Sequence, residues 1–389
     1  MDIVSLLTRS HGVQASDVHL KVGSHPVFRI HGRLELVSDL PALDVATASE
    51  LIESIMTEEQ RQKFRTNLEL DFAYSVPGLS RYRVNVFLQR GTIGAAIRSI
   101  PINVPTLESL GLPAVVQQLA ELPRGLVLVT GPTGCGKSTT LAAIIHFINS
   151  TRRLHIVTIE DPIEYLHADI QSVIAQRWVG SDTHSFANAL RHVLRQDPDV
   201  ILVGEMRDLE TIAAAVTAAE TGHLVFATLH THGAAQTVDR IIDAFPSHQQ
   251  AQIRAQLALG LEGVISQVLI PLADGAGRIA VVESMVATGA IRNLMREGKT
   301  HQIPSAMLSG AKEGMQTLDQ ALRVLVDQGK IDYEDALAHS SNPKELALLL
   351  KRERPQTRGS AVVQSLGNGN GLSRTSEQAG RGRSMPYAS

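Results

Sequence analysis

The sequence predicts a two-part α/β protein, a small antiparallel α+β domain followed by a larger α/β domain on a parallel sheet. Three observations support this. Short apolar/polar alternations with turn signals fill residues 1–100, prolines 101 and 105 break the chain, and apolar strand runs then alternate with amphipathic helical patterns. The expected division is 1–100 for the first domain, 101–107 for a linker, 108–351 for the second domain and 352–389 for a tail.

In the first domain, Val18 to Val22 alternates and Gly23-Ser24-His25-Pro26 interrupts it. Val27 to Ile30 then continues as the next strand. Pro41 to Phe64 has the apolar spacing of a helical cover, through Leu51, Ile52, Ile55 and Met56. Ser80 to Gln89 and Thr92 to Ile100 form a hairpin about Arg90-Gly91. A two-residue loop there sets Arg83 directly opposite Arg98. Like charges so placed require an anion nearby, for which a phosphate is a candidate.

In the second domain the strand runs are Gly125 to Thr130, His155 to Ile159, Val200 to Val203 and Leu224 to Leu229. A helix from about Ser185 carries Phe186, Ala189, Leu190, Val193 and Leu194 on one face. Another runs from Asp208 to Thr221, with Gly222 as its stop. From residue 352 onward apolar periodicity is lost. Six arginines against two glutamates, among Gly and Ser, predict a disordered tail that stays solvated.

Bulk properties narrow the function. The 389 residues carry a formal net charge of −3 and only 4% aromatics, which argues against a basic, base-stacking nucleic-acid surface. One cysteine, Cys135, excludes disulfide and tetracysteine zinc frameworks. The first residues lack a secretory pattern and no apolar run approaches 18 residues, so a cytoplasmic protein is expected.

Gly131-Pro-Thr-Gly-Cys-Gly136-Lys137-Ser138 matches GxxxxGK[ST] between a strand and a helix. Its glycines let backbone N–H groups converge on a phosphate at a helix N-terminus. Lys137 is expected on the β/γ-phosphate oxygens and Ser138 on Mg²⁺. Gly131, Pro132, Thr133, Gly134, Cys135, Gly136, Lys137, Ser138 and Thr139 are thus the expected ATP-binding positions, Cys135 being a small filler.

Two strands end in carboxylates. Val200 to Val203 leads into Gly204-Glu205, and Glu205 is the expected general base or water-orienting group, and a metal-side acid. Thr158 to Tyr165 crowds Glu160, Asp161 and Glu164, which need a cation nearby. Glu160 and Glu164 are assigned to Mg²⁺ or water. His223 and His230 bracket a third strand at a spacing that forbids a shared metal. His230 is the expected γ-phosphate sensor, and His223 is either a satisfied core histidine or a nucleotide contact.

These four segments follow the order of the Walker A, Asp, Walker B and His boxes of secretion-type ATPases. Within that superfamily the chain closely resembles the PilT family of type IV pilus retraction ATPases over residues 1–350. The likeness rests on Pro123 to Gly134, Gly204-Glu-Met-Arg-Asp-Leu-Glu-Thr211, Gly314-Met-Gln-Thr-Leu-Asp319 and Ala290-Ile-Arg-Asn-Leu-Met-Arg-Glu297. The last is similar to the AIRNLIRE element that the family links to retraction, although Ile291, Leu294 and Met295 also fit a core-facing helix.

The resemblance implies a PAS-like first domain, a RecA-like second domain and a homohexameric ring with ATP between the domains. Arg83 and Arg98, with Arg81, would contact phosphates. It also implies an inner-membrane platform protein as partner and peripheral association with that membrane. Cys135 and Met295 depart from the usual Ser and Ile. Tyr333-Glu-Asp-Ala-Leu337 is similar to the paralogous accessory family, PilU, so a retraction paralogue is a second partner or an alternative assignment. Extension and type II secretion ATPases share the boxes but mostly carry the tetracysteine element that this chain lacks.

Overall fold

The structure is a computed structural model and describes residues 2–350, apart from His31 and Ile102. The tail expected at 352–389 lies outside the described residues. Two sheets and their helices belong to one compact unit that ends at Leu350.

The first sheet grows from α1 (Ile3–Gly12), β1 (Asp17–Lys21), β2 (Val27–Ile30), β3 (Arg33–Leu36), α2 (Val45–Glu53), α3 (Glu58–Asn67), β4 (Glu69–Val76), β5 (Ser80–Gln89) and β6 (Thr92–Ile100). Its order is β3-β2-β1-β6-β5-β4, all neighbours antiparallel. The expected single helical cover is two helices. Thr57 caps α3 through a reciprocal capping box with Gln60 and so starts a new helix there. Leu6 and Leu7 of α1, Ile52 of α2 and Phe64 of α3 bury themselves against Leu20, Val84, Val86 and Ile97 of the sheet. The hairpin register is the expected one, with Arg83 opposite Arg98. Arg90 and Gly91 both take positive φ, 50° and 74°, as a two-residue turn of the primed type requires.

The described residues of 101–107 form no helix or strand. Beyond them come α4 (Ala114–Ala120), β7 (Gly125–Thr130), α5 (Lys137–Thr151), β8 (His155–Glu160), β9 (Val173–Trp178), α6 (Phe186–Val193), β10 (Val200–Val203), α7 (Leu209–Glu220), β11 (Leu224–Leu229), α8 (Ala234–Asp243) and α9 (Gln250–Gly260). β12 (Leu261–Pro271) and β13 (Arg278–Val286) complete the strands, and α10 (Gly289–Arg296), α11 (Ile303–Ser309), α12 (Leu318–Asp327), α13 (Tyr333–His339) and α14 (Pro343–Leu349) follow.

The second sheet has the order β13-β12-β7-β11-β10-β8-β9. It is parallel except at one edge, where β13 returns antiparallel to β12. The four strands read from the sequence occupy the centre. Each is buried along nearly its whole length, because helices cover both faces. One core layer lies between the sheet and α6 to α11, and another between the sheet and α4 and α5. Gly222, at φ 110°, stops α7 as expected. Ile291 and Met295 of α10 are fully buried, so this face of the Ala290–Glu297 element serves the core. Among the described residues, no helix is long and apolar enough to cross a membrane.

Candidate functional site

Parallel strands deliver their C-terminal ends to the same edge of a sheet, where the following loops are free to bind. Neighbouring β7, β11, β10 and β8 therefore bring the Gly131–Ser138 loop, His230, Glu205 and Glu160 together. They surround a cleft of about 390 Å³. Thr133, Gly134, Gly136, Lys137, Ser138, Thr139, Glu160, Glu164, Glu205 and His230 all line it.

The loop is shaped from beneath. A Cβ on Gly131 would meet Gln267 O at 2.2 Å and Cys135 Sγ at 2.7 Å, and φ there is 135°. Only glycine lets the backbone approach so closely. Cys135 is buried under the loop, and burial pushes its thiol up, away from a reactive thiolate. Gln267, fully buried on β12, donates to Cys135 O at 2.7 Å and accepts from Thr140 Oγ1 at 2.9 Å. It thereby ties the loop to the first turn of α5. A lone amide inside the apolar run Val264 to Ile270 was the one signal available for it.

Lys137 opens α5 and is nearly buried. Its Nζ donates to Gly131 O at 2.8 Å and Pro132 O at 3.0 Å, and lies 3.5 Å from His230 Nδ1. Glu205 Oε1 is shared by Arg207 Nε at 2.6 Å and His230 Nε2 at 3.2 Å. Burial pushes the Glu205 carboxyl up, but the Arg207 hydrogen bond and the neighbouring charge outweigh it and hold the group below its ordinary range. Glu205 is thus ionised, partly shielded and held in place, as a water-orienting base must be. Arg207, two residues beyond Glu205, is a contact that the sequence reading did not single out.

Glu160 accepts from Thr158 Oγ1 at 2.6 Å and Gln176 Nε2 at 3.1 Å. Burial pushes its carboxyl up. Gln176 also holds Tyr165 O and His167 N, and Tyr165 Oη lies 3.1 Å from Thr139 Oγ1. The Thr158–Tyr165 segment is therefore braced to β9 and to α5. His167 faces the same cleft, its ring pushed down to about 4 by burial and by His146, so it is neutral at physiological pH.

Four expected nucleotide contacts lie elsewhere. His223 precedes β11, and its Nδ1 meets Ala218 O at 2.9 Å. A strand rises about 3.3 Å per residue, so seven residues put it roughly 23 Å from His230, at the opposite edge of the sheet. This is the satisfied-histidine alternative, and it corrects the nucleotide assignment. Arg81, Arg83 and Arg98 are not among the residues lining the cleft. Arg98 pairs with the buried Asp17 at 2.7 Å and Arg83 with Asp71 at 3.5 Å. The anions that make the opposed arginines tolerable in the sheet are these carboxylates.

The residues fit a Mg-nucleotide. The glycine loop is braced by Gln267 and carries Lys137. Ser138, Glu160 and Glu205, which line the same cleft, are the hard oxygen donors that Mg²⁺ prefers alongside phosphate oxygens. Among the described residues, no group of three or more His, Cys, Asp or Glu side chains forms a metal site by itself.

Residues 96–338 match the family described as Type II/IV secretion system protein. The type IV pilus retraction ATPase PilT of Pseudomonas aeruginosa is 50% identical over 344 residues, covering 88% of this chain and 99% of that protein. The type IV pilus ATPase PilU of the same organism is 44% identical over 86% of this chain and 88% of its own length. Among solved structures, that of the pilus retraction motor PilT with bound ADP superposes with a TM-score of 0.84 at 48% identity, covering 89% of this chain and 98% of the other. Glycine loop, strand-end carboxylates and His230 thus stand in a chain that belongs to the type II/IV secretion system protein family and, within it, to the PilT-type ATPases.

Proposed function

We propose that the chain is the ATP-hydrolysing motor of type IV pilus retraction, and so of twitching motility. It would act as a homohexameric ring on an inner-membrane platform protein. It would be cytoplasmic, held at the membrane only through the pilus machinery, with no direct contact to nucleic acid. The observation that carries the reading is the convergence of the Gly131–Ser138 loop, Glu205 and His230 in a chain that matches a retraction ATPase along nearly that protein's whole length.

Gly131 to Thr139 bind the phosphates of ATP, through backbone N–H groups at every position but Pro132, and Lys137 exchanges its loop carbonyls for β/γ-phosphate oxygens. Ser138, with Glu160 or Glu205, would hold Mg²⁺, which would supply neutralisation of phosphate charge. Glu205 orients the attacking water and accepts its proton. Glu164 assists at the water side, and His230, between Glu205 and Lys137, reports the presence of the γ-phosphate. Arg83, Arg98 and Arg81 come over the phosphates when the first domain swings toward the cleft, and release of phosphate reverses that swing. Around a ring, this rigid-body change becomes force, to which the exposed face of Ala290–Glu297 contributes.

The test is a surface-pilus count and a twitching assay in the native organism with Lys137→Ala at the chromosomal locus. Excess pili with lost motility are expected. Bald cells would assign the motor to extension. Normal pili with normal motility would assign the chain to a redundant PilU-like paralogue or to a different secretion system.

A further inference from the structure

β12 and β13 set Ser266 and Glu283 directly opposite each other. Both reach the same short stretch of chain. Ser266 Oγ accepts the Gly233 N–H at 2.9 Å, and Glu283 Oε1 accepts the Ala234 N–H at 2.7 Å. These donors are the cap and first residue of α8, which begins just after His230. Gly233 has no side chain with which to cap, and α8 has no acid in its first turn. The exposed donors and positive end of the helix are therefore answered from the sheet. A Cβ on Gly233 would stand 3.2 Å from Glu283 Oε1, so glycine there admits the carboxylate.

The second oxygen has a different destination. Glu283 Oε2 accepts the Leu318 N–H at 3.2 Å, at the first residue of α12. One carboxylate thus joins the starts of two helices. Burial pushes that carboxyl up, and the two backbone donors act against it. A carboxylate kept in such a place must be compensated by its hydrogen bonds.

The connection from β11 to α8 is His230, Thr231 and His232, followed by the Gly233 cap. Its near end is fixed by the pairing of β11 with β7, and its far end by Ser266 and Glu283. We infer that Glu283 is a positioning residue for ATP hydrolysis, whose clasp on α8 and α12 sets His230 against Glu205. The inference rests on the assignment of Glu205 and His230 to the hydrolytic step. It also links α12, outside the cleft, to a residue within it.

The test is steady-state ATP hydrolysis and ADP affinity of the purified full chain with Glu283→Ala and Glu283→Gln. Gln fills the same space and keeps one acceptor oxygen but turns an NH₂ toward the other helix. Displacing a group near the reacting atoms by a fraction of an ångström lowers kcat by about tenfold or more. The Ala variant should show that loss and the Gln variant a smaller one. KM and ADP affinity should stay within about twofold, because the loop and Lys137 are untouched. In a Glu205→Gln background, Glu283→Gln should add nothing, since both act on one step. A wild-type kcat in Glu283→Gln, or ADP affinity falling in parallel with kcat, would overturn the clasp. Should Glu283→Ala fail to fold, the Gln variant and the double variant decide alone. Full activity in Glu205→Gln itself would instead overturn the assignment on which the inference stands.

Discussion

Arg207 Nε lies 2.6 Å from Glu205 Oε1, the oxygen that His230 Nε2 also approaches at 3.2 Å. The pairing keeps the carboxylate ionised, but it also occupies the oxygen that would accept a proton in the proposed hydrolysis. Glu205→Gln should cut ATP turnover by about 10²-fold or more while leaving ADP binding intact. Arg207→Ala should act through acidity. Removing the cation lets the Glu205 carboxyl rise, so the acid limb of the kcat–pH profile moves to higher pH. A limb that stays in place would show that Glu205 is not the group titrating there.

Lys137 lines the cleft at the loop and holds two loop carbonyls, Gly131 O and Pro132 O. Hydrogen bonds to charged partners are worth about 1.5–3 kcal/mol each, so Lys137→Ala should weaken ADP binding at least about tenfold by calorimetry. Lys137→Arg should not restore it, because a planar guanidinium does not fit a buried site shaped for an ammonium.

Two glycines of the same loop separate steric from conformational need. A side chain at Gly134 meets open space, and only φ 79° disfavours it, so Gly134→Ala should cost about 1 kcal/mol in chemical denaturation. Gly131→Ala drives a methyl into Gln267 O at 2.2 Å and should cost about 3 kcal/mol or more. Equal losses would mean that β12 yields and that Gln267 does not brace the loop.

The cleft was legible because each of its segments states its chemistry locally: a glycine pattern, a carboxylate after an apolar run, a histidine at a strand end. Parallel pairing then needs no further information to bring the four ends together. The Arg83–Arg98 register was legible because a two-residue loop fixes every cross-strand partner. What escaped depends on contacts distant in sequence. β12 is buried on both faces and shows no alternation, so Gln267 looks like an accident within it. Glu283 gains its meaning only from Ala234 and Leu318, 49 and 35 residues away. His223 stayed open between a core and a nucleotide role because strand parity says which face a residue takes, while its distance along β11 decides which end of the strand it reaches.

The opposed arginines of the first domain provide a final test, because each has a carboxylate partner that explains it without a phosphate. The Arg83–Asp71 contact is 3.5 Å long and exposed, so Arg83→Ala should change stability by less than about 0.5 kcal/mol. A proposed role over the phosphates requires the same variant to lower kcat/KM about tenfold or more. Arg98→Ala should differ, because Asp17 is buried and loses its nearest cation. Discounted for the exposure of Arg98, the loss should be about 1–2 kcal/mol. Burial pushes the Asp17 carboxyl up, but hydrogen bonds from Arg98 and Ser16 outweigh it and hold the group below its ordinary value. Its contribution is therefore present above the unfolded carboxylate pKa and lost as pH falls through the folded one. Arg98→Ala should flatten that acid limb of the stability curve. If Arg83→Ala instead hydrolyses ATP at the wild-type rate, Arg83 belongs to the sheet and not to the catalytic cycle.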